Sequence, residues 1–527
     1  MIKNKLNNNI PLICLAALLL LLSCYMLYWG TQKMGLNGDE SITFMQIKAD
    51  GHSRITRQYE FYNVWHTAAD LESFITINRE DAFTYKRVAA NGAHPPLYFY
   101  LMHTIYSFFP GVFTFWPGII LNLIFYIGAL IVIYLLSRLF IKDRYLALLP
   151  SLIWGVSSTA IEMVVLLRMY MMLSFFCLLF TYIAYLTVTK EQNKIKYLIA
   201  LAAAAFLGIM THYYFLIFAF FISALICIYV LTKKKFLLLT GYVAAMISSF
   251  ILFEIFGNRS ITRLFSSNRG SESVDNLFSD TIDTTSRMEG YFDFMSSKLF
   301  GGISLWIILI IVFVLFVTVF IISKRKDTKI IPLLKNNKVV LWVISATACL
   351  FYILVIARTA PYGAFRYIVH LTPIIMLLFI TLLIYTVRTV GINRIIAFSS
   401  IAIVFVSILV VNTKIDNLSS IAAQRHEDLS PYYNLPVISI SDSGWHQDSS
   451  FQYLMRFENK LIFSLNEEWL TLNMEVVREM NFNEGLIVWI PRGSDIIPIY
   501  ENLKESININ NSQWVTDTGR HSIYYLH

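Results

Sequence analysis

Apolar positions in this chain neither alternate nor recur on one face. They run on for stretches of about 20 residues, separated by short polar segments rich in lysine and arginine. A run of that length crosses about 30 Å of hydrocarbon as a helix. Ile10 to Trp29 is the first, and others lie near 116–138, 145–160, 166–188, 195–211, 213–231, 236–256, 301–323, 338–357, 367–388 and 393–412. About eleven spans are expected. Positive residues mark cytoplasmic loops, and they cluster at Arg138/Lys142/Arg144, Lys190/Lys194/Lys196, Lys233/Lys234/Lys235, Lys324 to Lys338 and Arg388/Arg394. Each successive pair of clusters encloses two runs, which puts the N-terminus inside and the chain after 412 outside. Residues 97–109 are apolar as well, but a crossing there would invert every later loop. At 1.5 Å per residue they reach only about 20 Å, so a juxtamembrane or half-inserted helix is expected, stopped at Pro110-Gly111.

Three sizeable regions then lie outside. The first loop spans 30–115, the second 257–300, and a tail runs from 413 to 527. The pattern changes in the tail, where charge is distributed among short apolar runs: Val437-Ile-Ser-Ile-Ser, Lys460-Leu-Ile-Phe-Ser and Leu486-Ile-Val-Trp-Ile. Helical-looking stretches fall between them around 449–456 and 471–480. Such spacing predicts a small extracytoplasmic α/β domain over 413–527, following a membrane module over 1–412. No phosphate-binding glycine pattern occurs in it, so it is given no chemistry. The 257–300 loop, with Arg259, Arg263, Arg269 and Arg287 among Ser and Asp, reads either as a solvated flexible loop or as a cover for a charged donor.

Composition closes off other classes. Charged residues make up 14% of the chain and hydrophobic residues 57%, with a mean hydropathy of +0.59; soluble domains carry about 25% charged residues. An ordinary soluble enzyme is excluded. The net charge of +8 comes from loop lysines and arginines that set topology, so nucleic acid is not an expected partner. Cys14, Cys24, Cys177, Cys227 and Cys349 all lie within apolar segments, spaced neither as a metal site nor as a disulfide framework. The first run reads as an uncleaved anchor, with a lipoprotein signal at Leu-Leu-Ser-Cys24 as the alternative.

In so apolar a chain the polar groups at membrane boundaries carry the information, because lipid does not accept them. Asp39-Glu40 follows the first span, offering a general base, a cation partner or a helix cap. His94-Pro95-Pro96-Leu97-Tyr98 begins the half-helix, where the prolines fix the backbone around His94. Glu162 precedes Arg168-Met169-Tyr170 at the top of a span; an arginine there needs an anion or snorkels to the interface. Thr211-His212-Tyr213-Tyr214 fills a tight outer turn. Arg358 and Arg366-Tyr367 share another outer loop, against the positive-inside trend, and Arg366 and His370 are four apart, as on one helix face. Together these groups support an outward-facing site for an anionic ligand, with a candidate base.

In order, spacing and common side, these elements resemble the GT-C glycosyltransferases of the protein O-mannosyltransferase and aminoarabinose transferase type. The resemblance covers roughly residues 10 to 412: Asp39-Glu40, His94-Pro95-Pro96-Leu97-Tyr98, Arg168-Met-Tyr170, Thr211-His212-Tyr213, and Arg366-Tyr367 before a late span with Pro373. It implies a polytopic GT-C fold in the plasma (inner) membrane and a polyprenyl-phosphate sugar donor entering from the lipid. It also implies an acceptor in the envelope and inversion at the anomeric carbon. Asp39 would take the acceptor's proton, and Arg366, Arg168 and His94 would steady the leaving phosphate. Glu40, Tyr170, His212, Arg358 and Tyr367 are supporting candidates. A divalent metal is a candidate cofactor, with Glu40, His94 and His212 as its candidate ligands. The chain departs from aminoarabinose transferases in three places. They carry an arginine three positions after the base, where Ile42 stands here, a lysine near the position of His94 and an aspartate near Arg168.

The rival class is a transporter or flippase of lipid-linked glycans, which places charged groups and broken helices at the bilayer midplane, often in repeated halves. No internal repeat is visible. A polymerase or ligase of such glycans would share the anionic site and differ in moving a chain rather than one sugar.

Overall fold

The computed structural model describes residues 2–48, 64–88, 94–257, 268–279, 281–325, 337–390, 394–413, 415, 420–441, 453–464, 474–478, 480, 482–493, 497, 501, 503, 509–518 and 521–527. In chain order the first part holds α1 (Ile2–Thr31), α2 (Gly38–Ile47), β1 (Trp65–Thr67), α3 (Ala68–Ser73), α4 (Tyr85–Val88) and α5 (Leu97–Tyr106). The bundle continues with α6 (Trp116–Phe140), α7 (Leu149–Gly155), α8 (Ser158–Val165), α9 (Tyr170–Thr189), α10 (Lys194–Thr211), α11 (Tyr214–Thr232) and α12 (Phe236–Phe256). After it come α13 (Asn268–Phe278), α14 (Thr284–Phe294), α15 (Leu305–Arg325), α16 (Asn337–Thr359), α17 (Thr372–Val390) and α18 (Arg394–Val411). The tail adds α19 (Ser420–Leu429), β2 (Val437–Ser441), β3 (Asn459–Ser464), α20 (Met474–Arg478), β4 (Leu486–Pro491), β5 (Ser512–Asp517) and β6 (His521–Leu526).

The chain is a multi-pass α-helical membrane protein. Eight helices among the described residues are long and apolar enough to cross a bilayer, and a bent pair, α7 with α8, makes up to nine. Helices occupy every segment expected from the apolar runs; α15 and α18 have parts whose side chains lie outside the described set. The central spans are α9 and the one over Val369–Val387, 72% and 78% buried, whereas α1 and α12, at 22% and 28%, turn mostly outward to where lipid belongs.

One expected span is not straight. The run near 145–160 breaks between Gly155 and Ser158 with a bend of 60°. Ser157 restarts the chain as a helix by accepting from the Ala160 amide, while the Tyr126 hydroxyl donates to the Gly155 carbonyl at 2.8 Å. The interruption is therefore internally satisfied, as backbone at membrane depth must be. The short apolar segment after His94 forms α5, ten residues long, with Tyr98, Phe99 and Met102 fully buried.

The tail, expected to be a small α/β domain, builds a mixed sheet that contains one strand from elsewhere. Its order is β1-β3-β2-β4-β6-β5, with β2 parallel to β3 and β4 and the other pairs antiparallel. The three expected runs are β2, β3 and β4. Their inward residues Ile438, Ile440, Leu486, Val488 and Ile490 close a small core with Val477 and Leu526. Strand β1 comes from the stretch between α2 and α3 and pairs with β3 from Trp65 opposite Leu461 to Thr67 opposite Asn459. Trp65 Nε1 also donates to the Val476 carbonyl at 2.8 Å.

At this junction Lys460, opposite His66, is fully buried, and its Nζ has no hydrogen-bond partner among the described residues. Burial pushes its ammonium down to about 8, against the attraction of Asp70 and Glu458. The unfolded lysine titrates near 10.4. Between those values the unfolded chain binds more protons, so the stability of the sheet rises with pH across that window. Lys460→Met is expected to abolish that rise and to increase the unfolding midpoint at neutral pH, read by thermal unfolding of the purified protein.

Candidate functional site

Asp39 sits in the first turn of α2. Asn37 caps the helix by accepting from the Glu40 amide, and the Glu40 carboxylate returns to the Asn37 amide at 2.8 Å, a reciprocal capping box. Neighbouring helical residues point about 100° apart, and the two acids diverge accordingly.

Glu40 turns inward. Its side chain is fully buried and accepts from Lys33 Nζ at 2.8 and 3.1 Å and from the Leu167 amide at 2.7 Å. Lys33, which no sequence pattern singled out, also lies over the Phe115 ring at 5.4 Å. A buried carboxylate is tolerated only when its lone pairs are satisfied, and these are. The pair ties the end of α1 and the start of α2 to the α8–α9 connection. Glu40→Ala is expected to leave Lys33 buried without its counter-charge and to cost about 3–5 kcal/mol of stability, seen as a large fall in the thermal midpoint of the purified protein.

Asp39 turns to the open end of the bundle and forms an ion pair with Arg366. The two side chains are 16% and 22% exposed, so the pair is reachable from outside. Arg366 also donates to the Tyr362 hydroxyl and lies over the rings of Tyr362 and Tyr367 at 5.2 and 5.5 Å. Arg168 comes from the opposite side and donates to the Asp39 carbonyl at 3.1 Å and to the Thr43 hydroxyl at 2.9 Å. Its second terminal nitrogen is 3.3 Å from His94 Nε2. Its Nε is buried with no hydrogen-bond partner among the described residues.

The two histidines meet here. The His94 and His212 rings are 5.1 Å apart, and Tyr170 and Tyr214 flank His212 at 6.1 and 4.8 Å. The turn that carries His212 is tight because Gly208 lets the Phe215 ring fold back on α10; a Cβ at Gly208 would lie 2.3 Å from that ring. His212 Nδ1 accepts from the Tyr214 amide at 3.0 Å, which leaves the proton of the neutral ring on Nε2. Burial, reinforced by Arg168 and Arg366, pushes its pKa down to about 3, so the ring is a neutral donor at physiological pH.

Five segments far apart in sequence thus bring Asp39, His94, Arg168, Tyr170, His212, Arg366 and Tyr367 to one end of the bundle. Other expected members lie elsewhere. Arg358 donates to the carbonyls of Leu277, Ser279 and Ile282, while Arg287 reaches back to those of Ala357, Ala360 and Pro361. These two arginines latch the segment of α13 and α14 to the end of α16. Glu162 pairs with Lys298 at 2.9 Å in the bundle interior and not with Arg168. Arg366 and His370 do not share an α-helical face, because Phe365–Tyr367 and Val369–Leu371 are separate 3₁₀ turns. His370 is instead buried against Tyr352. Arg259 and Arg263 lie outside the described residues, as does the side chain of Arg269. Thr43 was not among the expected members, whereas Tyr214 lay within the expected Thr211–Tyr214 turn and Tyr362 in the same loop as Arg366.

The proposed metal ligands do not assemble. Glu40's oxygens are committed to Lys33, Asn37 and Leu167, and no group of three or more His, Cys, Asp or Glu among the described residues is placed to hold a metal ion. These residues do not fit a divalent metal. What the site offers is a carboxylate, two guanidiniums, a neutral imidazole donor and several phenols around one opening, an arrangement suited to a phosphate beside a hydroxyl.

Fold and site together define a multi-pass membrane protein with a cluster of charged and aromatic side chains at one end of its helical bundle. Over 98% of its length the chain is similar to the crystal structure of ArnT from Cupriavidus metallidurans bound to undecaprenyl phosphate, with a TM-score of 0.49, 11% identity and 97% of that chain covered. The apo form of the same protein gives 0.47 and 11%, with 92% of this chain and 95% of that one covered. The archaeal oligosaccharyltransferase AglB from Archaeoglobus fulgidus, in complex with an inhibitory peptide and a dolichol-phosphate, gives 0.43 and 10%, over 97% of this chain and 74% of that one. At TM-scores below 0.5 neither a reaction nor a ligand follows from these likenesses. No family model and no curated protein sequence matches the chain.

Proposed function

We propose that the protein is an inverting membrane glycosyltransferase that moves a sugar from a polyprenyl-phosphate donor to an envelope acceptor on the extracytoplasmic side. The observation that carries the reading is the Asp39–Arg366 ion pair, mostly buried but still reachable from outside, and flanked by Arg168 and His94. In this reading the bundle sits in the plasma membrane with its N-terminus in the cytoplasm, and residues 1–412 form the catalytic module with 413–527 as its outer domain.

The acceptor oxygen attacks the anomeric carbon and the bond from that carbon to the phosphate oxygen breaks. The acceptor's proton passes to Asp39, and polyprenyl phosphate leaves with the negative charge. One displacement with one base inverts the centre. Arg366 links the two halves of the event. Without donor it holds the Asp39 carboxylate; an arriving phosphate offers its planar fork a second anion, and the Asp39 oxygen is released to receive the proton. His212 Nε2 and Arg168 add fixed donors around the developing phosphate charge.

The broken α7–α8 pair is the feature that a transport reading would use. The Tyr126 hydroxyl donates to the carbonyl at its break, and a Cβ at Gly155 would lie 2.7 Å from Leu22 and 2.9 Å from Tyr126, so the break is closely packed. The test is direct. Purified protein in lipid nanodiscs, given radiolabelled polyprenyl-phosphate sugars and envelope extract, is expected to release polyprenyl phosphate and label an acceptor with inverted linkage. Movement of intact donor across a vesicle membrane, with no release, would overturn the assignment.

A further inference from the structure

The arginine that faces Asp39 stands on a weak local structure. Arg366 is the middle residue of the 3₁₀ turn Phe365–Tyr367, closed by bonds from the Tyr367 amide to the Ala364 carbonyl and from the Ile368 amide to the Phe365 carbonyl. Turns of this kind are short and their hydrogen bonds poorly directed, so this one needs outside support to fix a long side chain. The next turn, Val369–Leu371, has it from the bundle core: Ser174 of α9 donates to the His370 carbonyl at 3.3 Å, and Trp154 of α7 donates to Thr372 at 3.2 Å.

Around the turn that carries Arg366, Phe365 stacks on Phe294 of α14, with ring centroids 4.5 Å apart and planes 10° from parallel. From the other side the Tyr352 hydroxyl of α16 donates to the Tyr367 carbonyl at 2.9 Å. The two contacts act differently. Stacked rings can slide over one another, whereas a hydrogen bond has a direction, so the hydroxyl sets how the turn is rotated and where Arg366 leaves the backbone. The Tyr367 carbonyl falls in the gap between the two turns, because the next backbone bond runs from the Leu371 amide to the Ile368 carbonyl. Its donor comes from a side chain of another helix. Tyr352 is well placed to be that donor: it is fully buried, and its ring is packed edge-on against His370 at 5.1 Å. Arg366 then reaches Asp39 on α2 and the Tyr362 hydroxyl, and lies over the rings of Tyr362 and Tyr367.

We propose that Tyr352 is a positioning residue for Arg366: its hydroxyl, acting through the Tyr367 carbonyl, holds the guanidinium where it can meet both Asp39 and an incoming phosphate. Tyr352 itself touches neither the substrate nor the reacting atoms. The meeting with phosphate rests on the glycosyltransferase reading; the hold on Arg366 does not.

Tyr352→Phe removes one oxygen and keeps the ring against His370. In full-length protein in nanodiscs it is expected to lower kcat for sugar transfer by about tenfold or more, as a small misplacement of a working group does, with donor binding little changed. In an Arg366→Gln background the same substitution should add less than about twofold, because the residue it acts through is gone. An equal loss in both backgrounds would mark a general structural role and overturn the proposal. Tyr185→Phe is the matched control: the Tyr185 hydroxyl donates to the Leu341 carbonyl at 2.7 Å, about 16 Å further along α16 from Tyr352. It removes another buried tyrosine–carbonyl bond and is expected to lower the thermal midpoint without slowing transfer; an equal slowing would also overturn the proposal. A second measurement needs no substrate. Phenylglyoxal modifies arginine guanidiniums, and mass spectrometry of the digested protein is expected to show Arg366 reacting several-fold faster in Tyr352→Phe than in wild type, with Arg358 unchanged. Unchanged reactivity of Arg366 would overturn the proposal even if kcat fell. Faster reaction at Arg366 in a protein that transfers no sugar would uphold the positioning and remove the glycosyltransferase reading.

Discussion

Asp39→Asn is expected to lower sugar transfer by about 10²–10⁴-fold, the usual contribution of a positioned general base. The apparent affinity for the polyprenyl-phosphate donor should change little, because an asparagine oxygen still accepts from Arg366 and the donor phosphate is held by other groups. The fall should appear in kcat. Two outcomes are thereby separated. If Asp39 only positions Arg366, Asp39→Asn, which keeps that contact, should leave both kcat and KM within a few fold of wild type. Asp39→Glu, which keeps the charge but moves the carboxylate by about one bond length, tests geometry directly: a positioned base loses rate on a displacement of about 1 Å. Transfer within tenfold of wild type in Asp39→Asn would remove Asp39 from the chemistry.

Arg366 carries the second large effect. Arg366→Gln is expected to reduce kcat by about 10²–10³-fold, as when one preorganised donor is taken from a developing anion. Arg366→Lys should recover only part of this. Lysine restores the charge but not the planar fork that can hold a carboxylate and meet a phosphate at once, nor the stacking over Tyr362 and Tyr367. Full recovery with lysine would mean that charge alone matters there. Initial rates at saturating donor, with donor binding measured separately, decide between the two.

Much of this was legible in the chain before its structure. The apolar runs and the lysine-rich loops delimited the helices because both signals are local: hydrophobic length and loop charge need no knowledge of the partner. The same holds for β2, β3 and β4, whose short apolar runs stood out in a polar tail. The convergence of Asp39, His94, Arg168, His212 and Arg366 followed from their common position at helix ends on one side.

Partners that depend on distant packing were not legible. Arg358 and Arg366 look equivalent in sequence, yet one finds the carbonyls left open where α13 ends and the other finds Asp39. Glu162 and Arg168 are near neighbours, but the break between α8 and α9 sends Glu162 inward to Lys298. Glu40 looked like a companion of Asp39 at the site, while one helical step of rotation made it the buried anchor of Lys33 and Leu167. Strand β1 has three residues, too few for any alternation to register.

That strand has a consequence for synthesis. Trp65 and the Val476 carbonyl that receives its indole proton are 411 residues apart, and a contact of that separation cannot form until both ends of the chain are made. The segment that carries β1 leaves the ribosome early, the sheet that accepts its strand last. During insertion the segment between Asp39 and His94 waits without its docking edge while every helix is laid down. A chain stopped at residue 412 is therefore expected to insert as a helical bundle whose first loop remains readily cut by added protease near Trp65, and protection should appear only when the chain extends through β3.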